Sequence, residues 1–455
     1  MKRTVSIIIT LCILLSIIYI EGNGKKQVLP DESPPPPNTN QYVKAIWLSQ
    51  FDMHGVYTKD DKQRNIDEYS ALIDNIVSNI AELGFNTVFI QLRPNGDSIY
   101  PSELFPPSKY VCGSYSNNFI YDPFAIFLAK AKEKGLSIHS WINPLRCMSE
   151  EEIKQVSGNY LISEWCAKRK YVATVNGKYY LDPAHREVRE YICLGVAEIL
   201  QKYSIDGIHI DDYFYPTTSK DFDAQSYLQY KSEGGSLSLE DFRRNNINLL
   251  ISEIYKTVKN ERIDAWFGVS PSGNNKRNYN ELYADVALWC GSDGYIDYIC
   301  PQIYFGFEHS THSFDKICNE FSSLVTSDSV KLFIGITLEK AALGTDGKED
   351  FYAGTGKSEW IEQKDIVARS LSYCQTLTSC SGVAIFSYQH FYDPVTNTEN
   401  EKTKEERRNL IPVLKGLSHS DEEGVVWFSS GKNFVLDTER SGVCTLGYVR
   451  EPKRD

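Results

Sequence analysis

The sequence predicts an α/β protein, a (β/α)8 TIM barrel with long loops on the C-terminal face and a short C-terminal β appendage. Three observations predict it. Eight short runs of aliphatic and aromatic residues recur along the chain, amphipathic helical patterns separate them, and the long connections follow the carboxyl ends of those runs. In such a barrel the strands are buried on both faces, and the loops after them build the binding surface.

The chain opens with Met1-Lys-Arg and an apolar run from Val5 to Ile20. Residues 1–21 therefore read as a secretory signal, or as an N-terminal membrane anchor if uncleaved, which places the protein outside the cytoplasm. Residues 22–41 hold Lys25-Lys26 and Pro34 to Pro37 with almost no apolar side chains, the composition of an extended spacer. The barrel is expected over 42–417. In the tail, 418–455, Val425 to Phe428 and Phe434 to Leu436 suggest a small β appendage.

The eight runs are 44–51, 86–92, 137–145, 206–213, 264–273, 295–305, 331–338 and 382–390. After the first, Tyr69, Leu72, Ile73, Ile76, Ile80 and Leu83 recur at helical spacing and stop at Gly84. A second helix starts at Pro123 after Asp122 and ends at Gly135. A third spans 183–203, with Val188, Tyr191, Ile192, Ile199 and Leu200 on one face. Later helices centre on Leu249, Asp285, Cys318 and Ser370, and one near 407–416 closes the chain. Extended loops are expected at 52–65, 93–121, 146–182, 213–239 and 339–363, all after strand C-termini.

A net charge of −12 argues against nucleic acid and anionic membrane surfaces as partners and fits neutral or amino-bearing substrates better. The 11 cysteines form no Cys-x-x-Cys pair, so zinc and iron–sulfur sites gain no support. Cys374 and Cys380 could bridge, but most of the others sit in apolar strand or helix contexts, which favours buried free thiols.

Function concentrates in Ser204 to Pro216. Alternation along a strand puts Ile208 and Ile210 on one face and His209 and Asp211 on the other. The outer face lies under helices and must be apolar, so His209 and Asp211 point inward. Asp212 begins the turn and can reach the same opening. Two adjacent carboxylates ringed by Tyr213, Phe214 and Tyr215 repel each other and drive one pKa upward, which suits acid-base work; the alternative is that they cap a turn.

Other strand ends supply Gln91 to Asp97, His139 to Asn143, Ser270 to Gly273, Pro301 to Tyr304, Glu339 and Ser387 to His390. Sugars present hydroxyls at their edges and C–H faces above and below the ring, which amides and flat aromatics match. The candidate glycan-binding residues are Arg93, Asp97, His139, Trp141, Asn143, His209, Tyr213, Gln302, Tyr304, Glu339 and Tyr388, with Trp47 a further aromatic. Arg93 and Asp97 could instead pair to shape their loop. His139 and His209 could be satisfied barrel histidines. Together with Asp211 and Asp212 they could also hold a divalent metal, but no strand carries His-x-His, and no metal or other cofactor is expected.

Ala45 to Leu48, Gly84 to Pro94, Tyr121 to Pro123, His139 to Pro144, Leu181 to Pro183, Asp206 to Pro216, Phe267 to Pro271 and Asp297 to Tyr304 together resemble the glycosyl-hydrolase-like 10 family, formerly the domain of unknown function 187. The resemblance runs from about Tyr42 to Leu417. It implies an exported bacterial (β/α)8 glycoside hydrolase active on amino-sugar glycans of the cell envelope, such as peptidoglycan strands stripped of peptides. Gly335 to Lys340 matches the family's strand-seven motif only in part, and Asn274-Asn-Lys276 replaces a more apolar stretch.

Both carboxylates on one strand end leave no wall for a nucleophile across the sugar ring, which suggests substrate assistance. The 2-acetamido group would attack, Asp211 orienting it while Asp212 acts as acid and then base; paired acids on strand four look similar in chitinase-like and hexosaminidase-like barrels. A second carboxylate from Glu339 or Glu308 is the alternative within the class. A barrel that binds glycans without cleaving them is the alternative outside it.

Overall fold

Eight parallel strands close on themselves in chain order in the computed structural model. They are β1 (Val43–Leu48), β2 (Thr87–Arg93), β3 (Ser137–Ile142), β4 (Gly207–Ile210), β5 (Trp266–Val269), β6 (Tyr298–Ile299), β7 (Lys331–Thr337) and β8 (Cys380–Phe386). β1 pairs with both β2 and β8, which removes every free edge. The structure describes residues 41–418 and the backbone of Val425–Trp427 and Asn433–Val435, which pair antiparallel. The apolar N-terminal run and the proline-rich spacer lie outside the described residues, as does most of the tail.

Local signals set the helices. Asn65 caps Ile66–Leu83, and Gly84 ends it at φ 95°, a left-handed conformation that glycine adopts without strain. Asp122 accepts the Ala125 amide at 3.0 Å ahead of Pro123–Glu133, where proline occupies a first-turn position that needs no N–H. Arg186–Lys202, Leu239–Glu261, Phe314–Leu324, Ile366–Thr376 and Lys404–Gly416 complete most of the outer ring. Asp285 is itself a cap, so its helix, Val286–Gly291, lies to its C-terminal side.

Strand alternation sorts the two sides of the wall. Ile208 and Ile210 pack outward with the helices, whereas Trp47, Phe89, Trp141, Tyr298, Cys300 and Phe333 fill the barrel interior. Two glycines make that filling possible: a Cβ on Gly268 would lie 2.0 Å from the Tyr298 ring, and one on Gly207 2.7 Å from His139. β6 keeps only two strand residues because Pro301 cannot donate to the ladder; beyond it Gln302 bridges singly to Ser272 and Gly335.

All five expected loops contain short helices or strands, and two of them shape the barrel mouth. Gln50–Tyr57 is a helix begun by a capping box, in which the Ser49 side chain accepts amide bonds while Asp52 Oδ2 accepts the Ser49 amide at 2.8 Å. Arg146–Ser149, Lys178–Leu181 and Val172–Val175 form a three-stranded antiparallel sheet above β3. The nine cysteines among the described residues are free, Cys374 and Cys380 included.

Candidate active site

The strand alternation that buries Ile210 under the helices turns Asp211 into the barrel mouth, where donors from three directions fix it. Trp141 Nε1 and Asn143 Nδ2 donate to Oδ2 at 3.0 and 2.6 Å, and the Tyr213 amide donates to Oδ1 at 3.1 Å. Behind Asn143 the relay continues: its Oδ1 accepts from Gln91 Nε2 at 2.6 Å, and Gln91 Oε1 accepts the Gln50 amide at 2.8 Å. Asp211 is thereby held in one orientation by β2, β3 and the helix after β1. Such second contacts keep a reacting group rigid.

Asp212 is held more loosely. Arg277 lies 3.6 Å from its Oδ2, Gln302 Nε2 reaches Oδ1 at 3.5 Å, and its side chain is 21% exposed. Gln302 is anchored at 3.1 Å on the Ser270 carbonyl. Asp212 and Tyr213 separate two depressions. One, of about 130 Å³, is walled by Trp47, Gln50, Phe51, Gln91, Trp141, Arg146, Asp211, Gln302, Tyr304 and Phe386. The other, of about 250 Å³, lies against Tyr180, Phe214, Tyr215, Arg277 and Leu282. Because β1 and β4 stand nearly across the barrel, Trp47 and Phe51 face the acids over the first depression.

Beneath the floor runs a buried chain of polar groups. Trp47 Nε1 donates to His209 Nε2 at 3.2 Å, so the His209 proton sits on Nδ1, which meets the Tyr298 hydroxyl at 2.9 Å. That hydroxyl in turn donates to His139 Nδ1 at 2.9 Å. Burial pushes the His139 pKa down to about 3 and that of His209 well below its ordinary value, so both rings are uncharged. They lie below the cavity and steady Trp47. They do not converge with the aspartates: no cluster of three or more His, Cys, Asp or Glu side chains among the described residues is arranged to hold a metal.

Besides the two histidines, five candidates stand away from the cavity. A register shift between Gln91 and Arg93 breaks the alternation of β2 and turns Arg93 outward, where its guanidinium carbon lies 3.7 Å from the Phe105 ring centroid. Asp97 is buried under the loop, accepting the Asn95 amide at 2.8 Å and the Tyr115 hydroxyl at 3.3 Å, and does not pair with Arg93. Tyr388 falls in the 3-10 turn Tyr388–His390; it packs with the outer core, its hydroxyl accepting from Asn79 Nδ2 at 2.9 Å. Glu339 is exposed at the start of Glu339–Thr345, and Glu308 is bonded to Gln363 at 2.6 Å; neither lines the cavity. The lining residues Ser49, Gln50, Phe51, Gln91, Arg146, Phe386 and, in the second depression, Arg277 were missed. Gln91 and Phe386 sit at strand ends, and Ser49, Gln50 and Phe51 close the expected run 44–51, so the pattern could have flagged these five.

Burial, and after it the charge of Asp212, pushes Asp211 from the 3.8 of an ordinary aspartate up to about 7. Burial raises Asp212 as well, with Arg277 opposing. The pair therefore retains a proton near neutrality. A raised folded-state pKa means the unfolded chain releases its proton first as pH rises. The stability contribution of Asp211 is full below about pH 3.8 and lost as pH climbs through 7. Asp211→Asn abolishes that loss, so its melting temperature relative to the parent should rise between pH 4 and pH 8. An offset constant with pH would contradict the shift.

Adjacent carboxylates thus end the fourth strand of a (β/α)8 barrel and are faced by aromatics and amides. The chain belongs to the glycosyl hydrolase-like 10 family, whose model matches residues 42–353. It is 29% identical to the glycosyl hydrolase DigH of Escherichia coli (strain K12) over 425 residues, 87% of this chain and 94% of that one. With the glycosyl hydrolase YngK of Bacillus subtilis (strain 168) it shares 31% identity over 322 residues, 65% of this chain and 61% of that one. Its fold is similar to the PgaB (BpsB) glycoside hydrolase domain from Bordetella bronchiseptica, with TM-score 0.51 and 10% identity, covering 81% of this chain and 98% of that one. The catalytic domain of β-amylase from Paenibacillus polymyxa gives 0.50 and 9%, covering 82% and 98%.

Proposed function

We propose that the protein is an exported glycoside hydrolase that cuts amino-sugar glycans such as peptide-free peptidoglycan strands by substrate assistance. One observation carries the mechanism: among the described residues, Asp211 and Asp212 are the only carboxylates lining the first depression, and aromatic and amide side chains form the facing wall. A retaining enzyme with two carboxylates needs them about 5–5.5 Å apart on either side of the ring, and the facing wall offers no second one. The nucleophile then comes from the substrate, which requires a 2-acetamido sugar.

Asp212, between the two depressions, donates its proton to the glycosidic oxygen as the C1–O bond breaks. The acetamido oxygen bonds to C1, with the rigid Asp211 carboxylate accepting the acetamido N–H. Water then attacks C1, Asp212 takes its proton, and the acetamido group is released. Export rests on the apolar run from Val5 to Ile20 behind Lys2 and Arg3.

Digestion of peptide-free peptidoglycan strands and of N-acetylglucosamine oligomers, read by mass spectrometry, tests the reading. Shortened products are expected. Binding without products would favour the non-cleaving carbohydrate-binding barrel.

A further inference from the structure

Arg146 opens the strand Arg146–Ser149 directly after β3 and lines the first depression beside Asp211. Its Nε donates to Asn95 Oδ1 at 2.9 Å, and Asn95 is fixed in turn by Asp97 and by Gln50 Oε1 at 3.2 Å. Its guanidinium carbon lies 4.8 Å from the Tyr213 ring centroid. The two terminal amino groups have no hydrogen-bond partner among the described residues, and no carboxylate there pairs with them. Arg277, in the second depression, is placed differently: it stands 3.6 Å from Asp212 and 3.7 Å from Glu281. Asp211 is near enough to feel the charge of Arg146, but Trp141, Asn143 and the Tyr213 amide already donate to its oxygens.

A planar fork anchored at Nε, stacked on an aromatic ring and free at both amino groups matches a carboxylate that accepts two parallel hydrogen bonds. We propose that Arg146 binds a carboxylate carried by the sugar held in the first depression, an ether-linked carboxylate or a uronic acid. The enzyme then prefers acidic amino-sugar glycans to neutral ones. The inference rests on the glycan-cleaving reading above and names its substrate class. It also reverses the expectation that net charge sets for the ligand: at −12 the protein as a whole repels a polyanion, and a local cation is what admits one.

The test uses the full-length protein with three probes: peptide-free peptidoglycan strands, the same strands after chemical reduction of their carboxyl groups to primary alcohols, and a polymer alternating N-acetylglucosamine with glucuronate. Cleavage is followed kinetically, and binding by calorimetry on the Asp212→Asn variant. Loss of a charge-assisted pair should raise KM or Kd for the reduced strands about ten- to a hundredfold. Arg146→Gln should show the same rise on native strands and become indifferent to reduction, with Arg146→Lys intermediate. The native strands and the uronate polymer distinguish the two carboxylate sources.

Equal KM and Kd for native and reduced strands would overturn the inference while leaving the hydrolase reading standing. Binding that depends on the carboxyl group and on Arg146, without any cleavage, would sustain the inference and remove the hydrolase. Neither binding nor cleavage would remove both.

Discussion

Asp212→Asn should lower turnover by a hundredfold or more while the protein stays folded. The amide has nearly the shape of the carboxyl group but cannot give a proton to a leaving oxygen, and loss of general acid catalysis costs about 10²–10⁴ in rate. Asp212 makes only long contacts, 3.5 Å to Gln302 and 3.6 Å to Arg277, so little packing depends on its charge. Asp211→Asn should cost a similar factor for another reason: the carboxylate that accepts the acetamido N–H is gone, although Trp141 and Asn143 still find an oxygen to donate to. Turnover on glycan strands with unfolding followed by circular dichroism checks both. Near-normal turnover in a folded variant rejects the role given to that residue.

The largest effect on stability is expected from Arg243. Its side chain and that of Asp223 are both fully buried, with NH2 to Oδ1 at 2.6 Å and Nε to Oδ2 at 2.9 Å. The same guanidinium donates to the Thr218 and Ser219 carbonyls and, at 3.0 Å, to the Tyr283 hydroxyl. One residue thus ties the loop that follows Asp212 to the helix Leu239–Glu261. Arg243→Met should destabilise the fold by about 3–5 kcal/mol, because Asp223 is left as an uncompensated buried charge and two carbonyls lose their donor. Arg243→Met with Asp223→Leu should recover much of that loss, since removing both charges removes the desolvation penalty. Denaturant titrations of the two variants decide it: if the double variant is no more stable than the single one, the charge pair is not the cause.

Much of this architecture was legible because strands and helices are periodic. The alternation of Ile208, His209, Ile210 and Asp211 fixes which face each occupies, and the barrel has only one polar opening to offer the inward set. Asn65, Gly84, Asp122 and Pro123 mark helix ends through their own hydrogen bonds and φ preferences, which act within a few residues. For the same reason Asp211, Asp212, Trp141, Asn143, Gln302 and Tyr304, all at or just past strand ends, could be placed at the mouth.

Periodicity fails where the backbone leaves it. The register shift in β2 sends Arg93 outward, and the turn after Ser387 sends Tyr388 toward Asn79; by alternation alone both would point inward. Gln50, Phe51 and Arg146 reach the cavity because a capped helix and a small sheet fold over it, and those paths depend on contacts distant in the chain. So the sequence by itself determined the barrel, the ends of the capped helices and the inward acids, since each follows from neighbours a few residues apart. Only the tertiary structure decided which charges face the sugar: irregular backbone is set by packing that no local pattern encodes.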